Sequence, residues 1–108
     1  MPLCIVVTRE VEMRYRGFLG SVMLELAPGV YAGPRMSKGV RERVWDVLSE
    51  WHGQLRAGSI VMAWREAGAP GGLRVLTLGE PPKELVEHEG SLLVRRPVSS
   101  RRLAFFDK

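Results

Sequence analysis

The 108-residue chain has room for one domain, and its 45% hydrophobic and 26% charged residues exclude an intrinsically disordered protein. No apolar run reaches the ~18 residues of a membrane span and no basic region precedes the N-terminal apolar stretch, so we expect neither a membrane anchor nor a secretory signal. The net charge of +4 invites a nucleic-acid hypothesis, and the single cysteine excludes an intrachain disulfide and fits a reducing cytoplasm, where we expect the protein to be located.

The first third of the sequence alternates between strand-like and helix-like patterns. Leu3–Val7 is a continuous apolar run rich in β-branched residues, which predicts a strand that is covered on both faces. The spacing of later apolar residues predicts a helix over residues 13–24 that Pro28-Gly29 stops. The apolar residues of this helical face are Leu19, Val22, Met23 and Leu26. Val30–Ala32 is long enough only for a short strand.

The next predicted element is the longest helix. Ser37 is a good N-cap residue, and apolar residues recur at helical spacing from Val40 to Leu55. The pattern assigns Arg41 and several other charged residues to the opposite, solvated side. Gly58 ends the helix.

The last third of the sequence predicts strands. Residues 59–64 are fully apolar, and the glycine-rich residues 67–72 predict a turn. Alternation over residues 73–78 predicts that the chain returns as a hairpin partner. Residues 91–94 form one further apolar run.

This order of elements predicts an α+β fold. A strand, a helix, a short strand pair, a second helix and further strands match the ferredoxin-like βαββαβ sandwich with an additional C-terminal strand, both helices lying on one face of the sheet. The other sheet face stays bare, and exposed apolar patches of that size usually mark interfaces. We therefore predict a homodimer that is joined through sheets or sheet edges.

The net positive charge lies at one end of the sequence. Residues 1–94 carry 11 basic and 11 acidic side chains, whereas residues 95–108 carry the whole excess. We predict a domain over residues 1–98 and a basic tail over residues 99–108, which is either a solvated terminus or a binding element. A nucleic-acid hypothesis therefore has to rest on local clusters within the domain.

Residues 8–17 are the segment with the clearest binding chemistry. They join the first predicted strand to the first predicted helix, where unpaired N–H groups and the helix dipole favour phosphate. Arg9, Arg14 and Arg16 add guanidinium groups, which suit bidentate phosphate contacts. Alternatively, Glu10 and Glu12 neutralise these arginines in surface pairs. The residue types leave both interpretations open.

Other chemistry has little support in the residue pattern. His52 and His88 have no cysteine or histidine at ligand spacing, so we expect no metal site there. Cys4 lies inside an apolar run, where we expect a buried and unreactive thiol. The sequence contains no nucleophile elbow and no Walker-type phosphate loop.

Six short strings stand in order along the chain and together resemble one family. They are Val6-Val7-Thr8, Arg14-x-Arg16-Gly17, Leu24-Glu25-Leu26, Gly29-Val30-Tyr31-x-Gly33, Ser37-x-x-Val40-Arg41 and Ile60-Val61-Met62-Ala63-Trp64. With them the chain resembles the small CRISPR-associated adaptation protein of family two (Cas-two), in its type I-E subgroup. The resemblance runs from about residue 3 to residue 98.

The resemblance implies a DNA-binding scaffold. It implies a ferredoxin-like homodimer that bridges two dimers of the CRISPR integrase, Cas-one, and holds a short double-stranded protospacer DNA by its backbone. Arg14 and Arg16 match the family's backbone-contacting arginines, and we add Arg9 from the same segment as a candidate. After the hairpin, where subgroup members can carry two arginines, Lys83 is the one remaining positive charge.

The resemblance also implies a protein partner. The family's C-terminal segment docks on the integrase by strand addition, which maps onto Leu92, Leu93 and Val94. Glu89, which precedes the glycine of the last strand, matches part of the charged contact with the integrase.

One departure from the family concerns catalysis. Many members carry a carboxylate directly after the threonine that ends the first strand, as the proposed Mg²⁺ ligand of a nuclease. Here that position is Arg9, and Glu10, one place later, is the nearest catalytic candidate. We therefore favour a scaffold that needs no cofactor, with a Mg²⁺-dependent endonuclease acting on RNA or DNA as the alternative. A small-molecule sensor or assembly module is a third interpretation, based on the fold alone.

Overall fold

The computed structural model describes residues 2–54, 57–79 and 84–95. In chain order, the elements are β1 (Cys4–Arg9), α1 (Met13–Val22), β2 (Leu24–Ala27), β3 (Val30–Gly33), α2 (Lys38–Gln54), β4 (Ser59–Arg65), β5 (Leu73–Leu78), β6 (Glu84–His88) and β7 (Ser91–Arg95). Neither helix in these ranges has the length and apolarity that crossing a membrane requires.

The main sheet has the strand order β2-β3-β1-β4-β5, and each pair of neighbours is antiparallel. The central strand is β1, in which Val6 pairs with Tyr31 of β3 on one side and with Met62 of β4 on the other. The elements from β1 to β4 follow the ferredoxin-like βαββαβ order, so the predicted α+β class is confirmed. As predicted, β5 returns along β4, whereas β6, which lies in an acidic stretch without a strand pattern, is an addition.

The structure differs from the sequence prediction between α1 and β3. Helical spacing predicts a helix beyond residue 23, but α1 ends at Val22 and β2 begins at Leu24. The apolar residues of this short segment fit a period of two as well as one of 3.6, so the pattern alone misassigns it. The turn at Gly29 decides the outcome, because its φ of +80° is one that glycine adopts readily and it reverses the chain.

The core lies between the two helices and one face of the sheet. The side chains that meet there alternate along β1 and β4 and recur every three or four residues along the helices, as each element's geometry requires. The fully buried members are Cys4, Val6, Tyr15, Leu19, Tyr31, Leu48, Ile60 and Met62. The prediction of a buried Cys4 is confirmed, and burial raises the pKa of its thiol.

The opposite face of the sheet, here called the open sheet face, is apolar and exposed. Leu3 and Val7 of the first strand region are 51% and 41% exposed, and Leu24 and Leu73 on the outer strands are 58% and 40% exposed. Strand register aligns one apolar row across all five strands, namely Leu24, Ala32, Ile5, Ala63 and Val75. The predicted bare face is therefore present. The prediction that the first strand is covered on both faces is wrong, because the two helices cover only one face of the sheet.

The long helix α2 begins as predicted but presents a different side to the core. The Ser37 hydroxyl accepts a hydrogen bond from the Val40 N–H at 3.2 Å, which confirms the N-cap. Val40, however, is 48% exposed, whereas Arg41 is only 7% exposed. The prediction of a solvated Arg41 is wrong because this residue shares a helical stripe with Val44 and Leu48, three and seven positions later.

Candidate functional site

The β1–α1 junction, residues 8–17, is held in place by the two loops beside it. The Thr8 amide and hydroxyl both donate to the Gly29 carbonyl, at 2.7 and 3.0 Å. On the other side, a Cβ at Gly58 would lie 2.6 Å from the Arg9 carbonyl oxygen and 2.5 Å from that of Glu10. Glu10 itself has a φ of 57°, which is uncommon for a non-glycine residue. These contacts fix the path by which the chain enters α1.

The N-terminus of α1 can accept an anion. Glu12 occupies the N-cap position, but its side chain makes no capping hydrogen bond, and the first turn contains no acidic residue. The first N–H groups of a helix have no partner within the helix, and the helix dipole places partial positive charge there. Both features favour a phosphate oxygen.

Arg14, in the first turn of α1, packs against α2. Its guanidinium carbon lies 4.8 Å from the ring centre of Trp51, and its Nε lies 3.4 Å from a Glu12 carboxylate oxygen. It also donates a long hydrogen bond of 3.5 Å to Gln54. The side chain remains 40% exposed. Stacking uses the flat face of the guanidinium, so the exposed donors along its edge can still reach an acceptor.

Arg16 points toward β2 rather than α2. Its nearest acid is Glu25, at 3.7 Å, and its side chain is 48% exposed. Residues two apart on a helix lie on different sides, which separates Arg16 from Arg14. Both ion pairs are long and solvent-exposed, and such pairs contribute only ~0–1 kcal/mol. A phosphate can therefore replace either glutamate at little cost.

Arg9 belongs to a different surface from the other two arginines. It ends β1 opposite Ser59, and the alternation of the strand places it on the open sheet face with Ile5 and Val7. The structure thus brings Arg14 to α2, Arg16 to β2 and Arg9 to the open sheet face instead of gathering them in one patch.

The alternative of local neutralisation is half right. Glu12 does pair with Arg14, as the sequence suggests, but the partner of Arg16 is Glu25, which sequence reasoning missed. The stacking partner Trp51 was missed as well. Both partners lie on other elements of the fold, and no local pattern in the sequence points to them.

The fit of the junction to Mg²⁺ depends on its carboxylates. Mg²⁺ needs an octahedral set of oxygens, usually anchored by one or two carboxylates plus waters and substrate. Within the described ranges, no three His, Cys, Asp or Glu residues are grouped so that they could hold a metal ion. Glu10 follows Arg9 directly, and Glu12 is already paired with Arg14. That leaves Glu10 as the carboxylate on which the nuclease alternative depends.

The predicted partner interface lies in the β6–β7 hairpin. Leu92, Leu93 and Val94 form the middle of β7 and pair with β6. Glu89 stands in the connecting turn, exposed and with a φ of 52°. The Gly71 amide donates to the Gly90 carbonyl at 3.0 Å, which ties this hairpin to the β4–β5 turn. Lys83 and the predicted tail over residues 99–108 lie outside the described residues.

Comparison with known families identifies the class of protein. A model of the family described as CRISPR-associated protein (Cas_Cas2CT1978) matches residues 3–93. The match covers most of the chain, from the start of the sheet into β7, and so includes the β1–α1 junction and the open sheet face. The chain is therefore a CRISPR-associated protein. It belongs to the Cas_Cas2CT1978 family, which agrees with the resemblance to Cas-two.

Proposed function

We propose that this chain is a homodimeric adaptation scaffold of the type I-E subgroup, which holds protospacer DNA by its backbone together with the Cas-one integrase. The observation that carries the proposal is the position of Arg14. It stands at the N-terminus of α1, where anions are favoured, and Trp51 orients its guanidinium while leaving it partly exposed. A pre-oriented guanidinium loses less entropy on meeting a phosphate than a free one.

Binding through such groups is expected to ignore base sequence. Arg14 and Arg16 can donate to phosphate oxygens, which position a protein on DNA but carry no sequence information. Each phosphate that a cationic side chain neutralises releases counterions, so the affinity falls with salt. The weak pairs with Glu12 and Glu25 are the interactions that DNA would displace.

The open sheet face supports the homodimer. Its exposed leucine and valine side chains lie on the central strand region and on both outer strands, and stable associations generally bury ~800 Å² on each partner. We expect Val7→Glu, at the centre of this face, to give a folded monomer in light scattering. Val40→Glu changes a comparably exposed valine on α2 and is the matched control. A Val7→Glu protein that stays dimeric would contradict pairing through this face.

The DNA proposal is tested by fluorescence anisotropy with two short duplexes of unrelated sequence, over a series of salt concentrations. We expect equal affinity for both duplexes and a linear fall of log K with log salt. Arg14→Gln and Arg16→Gln should each weaken binding and reduce the salt slope by about 1. Arg43→Gln, an exposed arginine elsewhere on α2, is the matched control. Glu25→Gln removes the partner of Arg16 and should strengthen binding.

The same measurements separate the proposal from its rivals. Undiminished DNA binding by the Arg14 and Arg16 variants, both alone and with the Cas-one integrase, would reject the assigned site. The nuclease alternative requires Mg²⁺-dependent cleavage of RNA or DNA that Glu10→Gln abolishes. Cleavage that co-purifies with the protein but survives Glu10→Gln would point to a contaminant.

The integrase contact needs a test of its own. We expect Leu93→Pro in β7 to weaken co-elution with Cas-one, because proline removes a backbone N–H and is poorly tolerated in a strand. DNA binding by the isolated chain should change little, since the β1–α1 junction lies elsewhere. Co-elution that is unaffected by Leu93→Pro would place the contact outside β7.

A further inference from the structure

A second site lies on the helix-bearing side of the sheet. A cleft of about 370 Å³ opens between α2 and strands β4 and β5. Its lining includes Lys38, Arg41, Trp45, Trp64, Glu66 and Leu76. None of these residues belongs to the β1–α1 junction or to the open sheet face, so the cleft is independent of the proposed DNA and dimer surfaces.

The cleft contains the guanidinium of Arg41, which has no hydrogen-bond acceptor among the residues that the structure describes. Arg41 is 7% exposed, and its guanidinium carbon lies 4.2 Å from the ring centre of Trp64. Apart from this stacking, its side chain makes no hydrogen bond or ion pair with any residue that the structure describes. The guanidinium nitrogens still reach solvent, because the fully buried side-chain polar atoms without a partner, among the described residues, are the hydroxyls of Tyr15 and Tyr31. A ligand that enters the cleft with acceptor oxygens would replace that solvent and accept hydrogen bonds from Arg41.

Glu66, one of three acids on the lining of the cleft, makes its hydrogen bonds with other residues. The Glu66 carboxylate accepts a hydrogen bond of 2.7 Å from Arg74 and one of 3.4 Å from the Trp64 indole. Those contacts hold its pKa below the usual range. The charge of Arg41 also contributes to this lower pKa, but no hydrogen bond joins the two side chains, so the donors of Arg41 remain available to another group.

The helix end adds to the preference for an anion. Lys38 and Arg41 both stand in the first turn of α2, which contains no acidic residue. Cations at a helix N-terminus face the positive end of the dipole, which is unfavourable. An anion placed between them would offset that repulsion.

The other residues that line the cleft limit the charge and the polarity of an anion that can bind there. Trp45 and Leu76 are apolar, whereas Glu42 and Asp46 on the lining repel any anion, and repel a doubly charged phosphate more strongly than a monoanion. We propose that this cleft binds a carboxylate monoanion carried on an apolar body, with the fork of Arg41 holding the carboxylate and Trp45 and Leu76 covering the apolar part. Such a group is found in a free aromatic acid and also at the end of a peptide.

The test is a ¹H–¹⁵N NMR titration of the full chain, following the indole N–H signals of Trp45 and Trp64. Benzoate should shift both signals and saturate, whereas its neutral isostere benzamide and inorganic phosphate should bind about tenfold more weakly or not at all. Arg41→Gln should weaken benzoate binding by at least about tenfold, and Arg43→Gln, on the exposed side of the same helix, should leave it unchanged.

Two further measurements complete the design. N-acetyl-phenylalanine, compared with benzoate, distinguishes a peptide end from a free acid by which probe binds more tightly. The melting temperature of Arg41→Gln without any probe measures what the stacking on Trp64 contributes to stability, and benzoate binding is compared at a temperature where both proteins are folded. Equal shifts by benzoate and benzamide in the wild-type chain would overturn the proposal without relying on any variant. Benzoate binding that survives Arg41→Gln would overturn it as well.

Discussion

The Gly58→Ala substitution tests whether the β1–α1 junction depends on a close backbone approach. Gly58 has a φ of +80°, a conformation that costs an L-residue ~1–2 kcal/mol. A Cβ at this position would lie 2.5 Å from the Glu10 carbonyl oxygen and 2.6 Å from the Arg9 carbonyl oxygen. Both obstacles are backbone atoms, so a side-chain rotation cannot relieve the contact.

The expected loss of stability follows from these two contributions. Steric overpacking of this kind typically costs a further ~1–3 kcal/mol. We therefore expect Gly58→Ala to lower the free energy of unfolding by roughly 2–5 kcal/mol, a large share of the ~5–15 kcal/mol of a small domain. In thermal unfolding this corresponds to a drop of at least about 8 °C.

Urea denaturation followed by circular dichroism measures the effect, and Gly20→Ala is the matched control. Gly20 lies within α1, and a Cβ there meets no atom within 4 Å. The same chemical change should thus raise stability by ~0.5–1 kcal/mol, because glycine is the poorer helix former. If Gly58→Ala unfolds at the same urea concentration as the wild-type chain, the close approach is not a constraint on the fold. A Gly58→Ala protein that folds but binds DNA normally would separate the junction's backbone from the proposed binding role.

Four further expectations follow from the described contacts. Leu48→Ala empties a fully buried position and should lower the free energy of unfolding by ~2–5 kcal/mol in urea denaturation. The buried Tyr31 hydroxyl has no hydrogen-bond partner among the described residues, so Tyr31→Phe should not lower stability, and a loss above ~1 kcal/mol would contradict this. A hydrogen bond from Arg74 lowers the pKa of Glu66 below 4.5. The interaction of the Glu66 carboxylate with Arg74 therefore stabilises the fold above that pH, and this stabilisation is lost on acidification. An NMR titration of Arg74→Gln should show the pKa of Glu66 moving back toward 4.5. Burial raises the pKa of Cys4 above 9.0, so the neutral buried thiol contributes to the stability of the fold below that pH, and the contribution is lost at higher pH. Iodoacetamide should modify the thiol slowly in the folded chain and rapidly in urea.

The sequence was informative where a pattern extends over several residues. The strands β1, β4 and β5 and the helix α2 were predicted because their apolar runs or periodic stripes are long enough to favour one geometry. The order of elements predicts a short strand pair before α2, but the location of the four-residue β2 was not assigned, because two leucines around Glu25 fit a strand and a helix equally well. Its assignment depends on the turn at Gly29 and on pairing with β3, which are not local properties of the leucines.

The candidate site was predictable in its residue types but not in its contacts. Arg14 and Arg16 could be placed at a helix N-terminus from the strand-to-helix change of pattern alone. Their partners Trp51 and Glu25 come from α2 and β2, and only the packed fold brings them near. The burial of Arg41 could be predicted in part from its spacing to Val44 and Leu48, which is that of residues on one buried side of a helix. A charged residue at such a position is nevertheless usually assigned to the surface.

The separation of the three arginines has a consequence for how the chain would hold DNA. Arg9 lies on the open sheet face, whereas Arg14 and Arg16 lie on different sides of α1, so one chain does not offer a line of positive groups to a duplex. A second copy paired across the open sheet face would cover Arg9 but would bring its own Arg14 and Arg16 to the assembly, and the number of phosphates that these arginines contact would double. The salt dependence of binding grows with that number, so a monomeric Val7→Glu chain should show about half the wild-type slope of log K against log salt. An equal slope in the two proteins would mean that one chain alone provides the whole DNA contact.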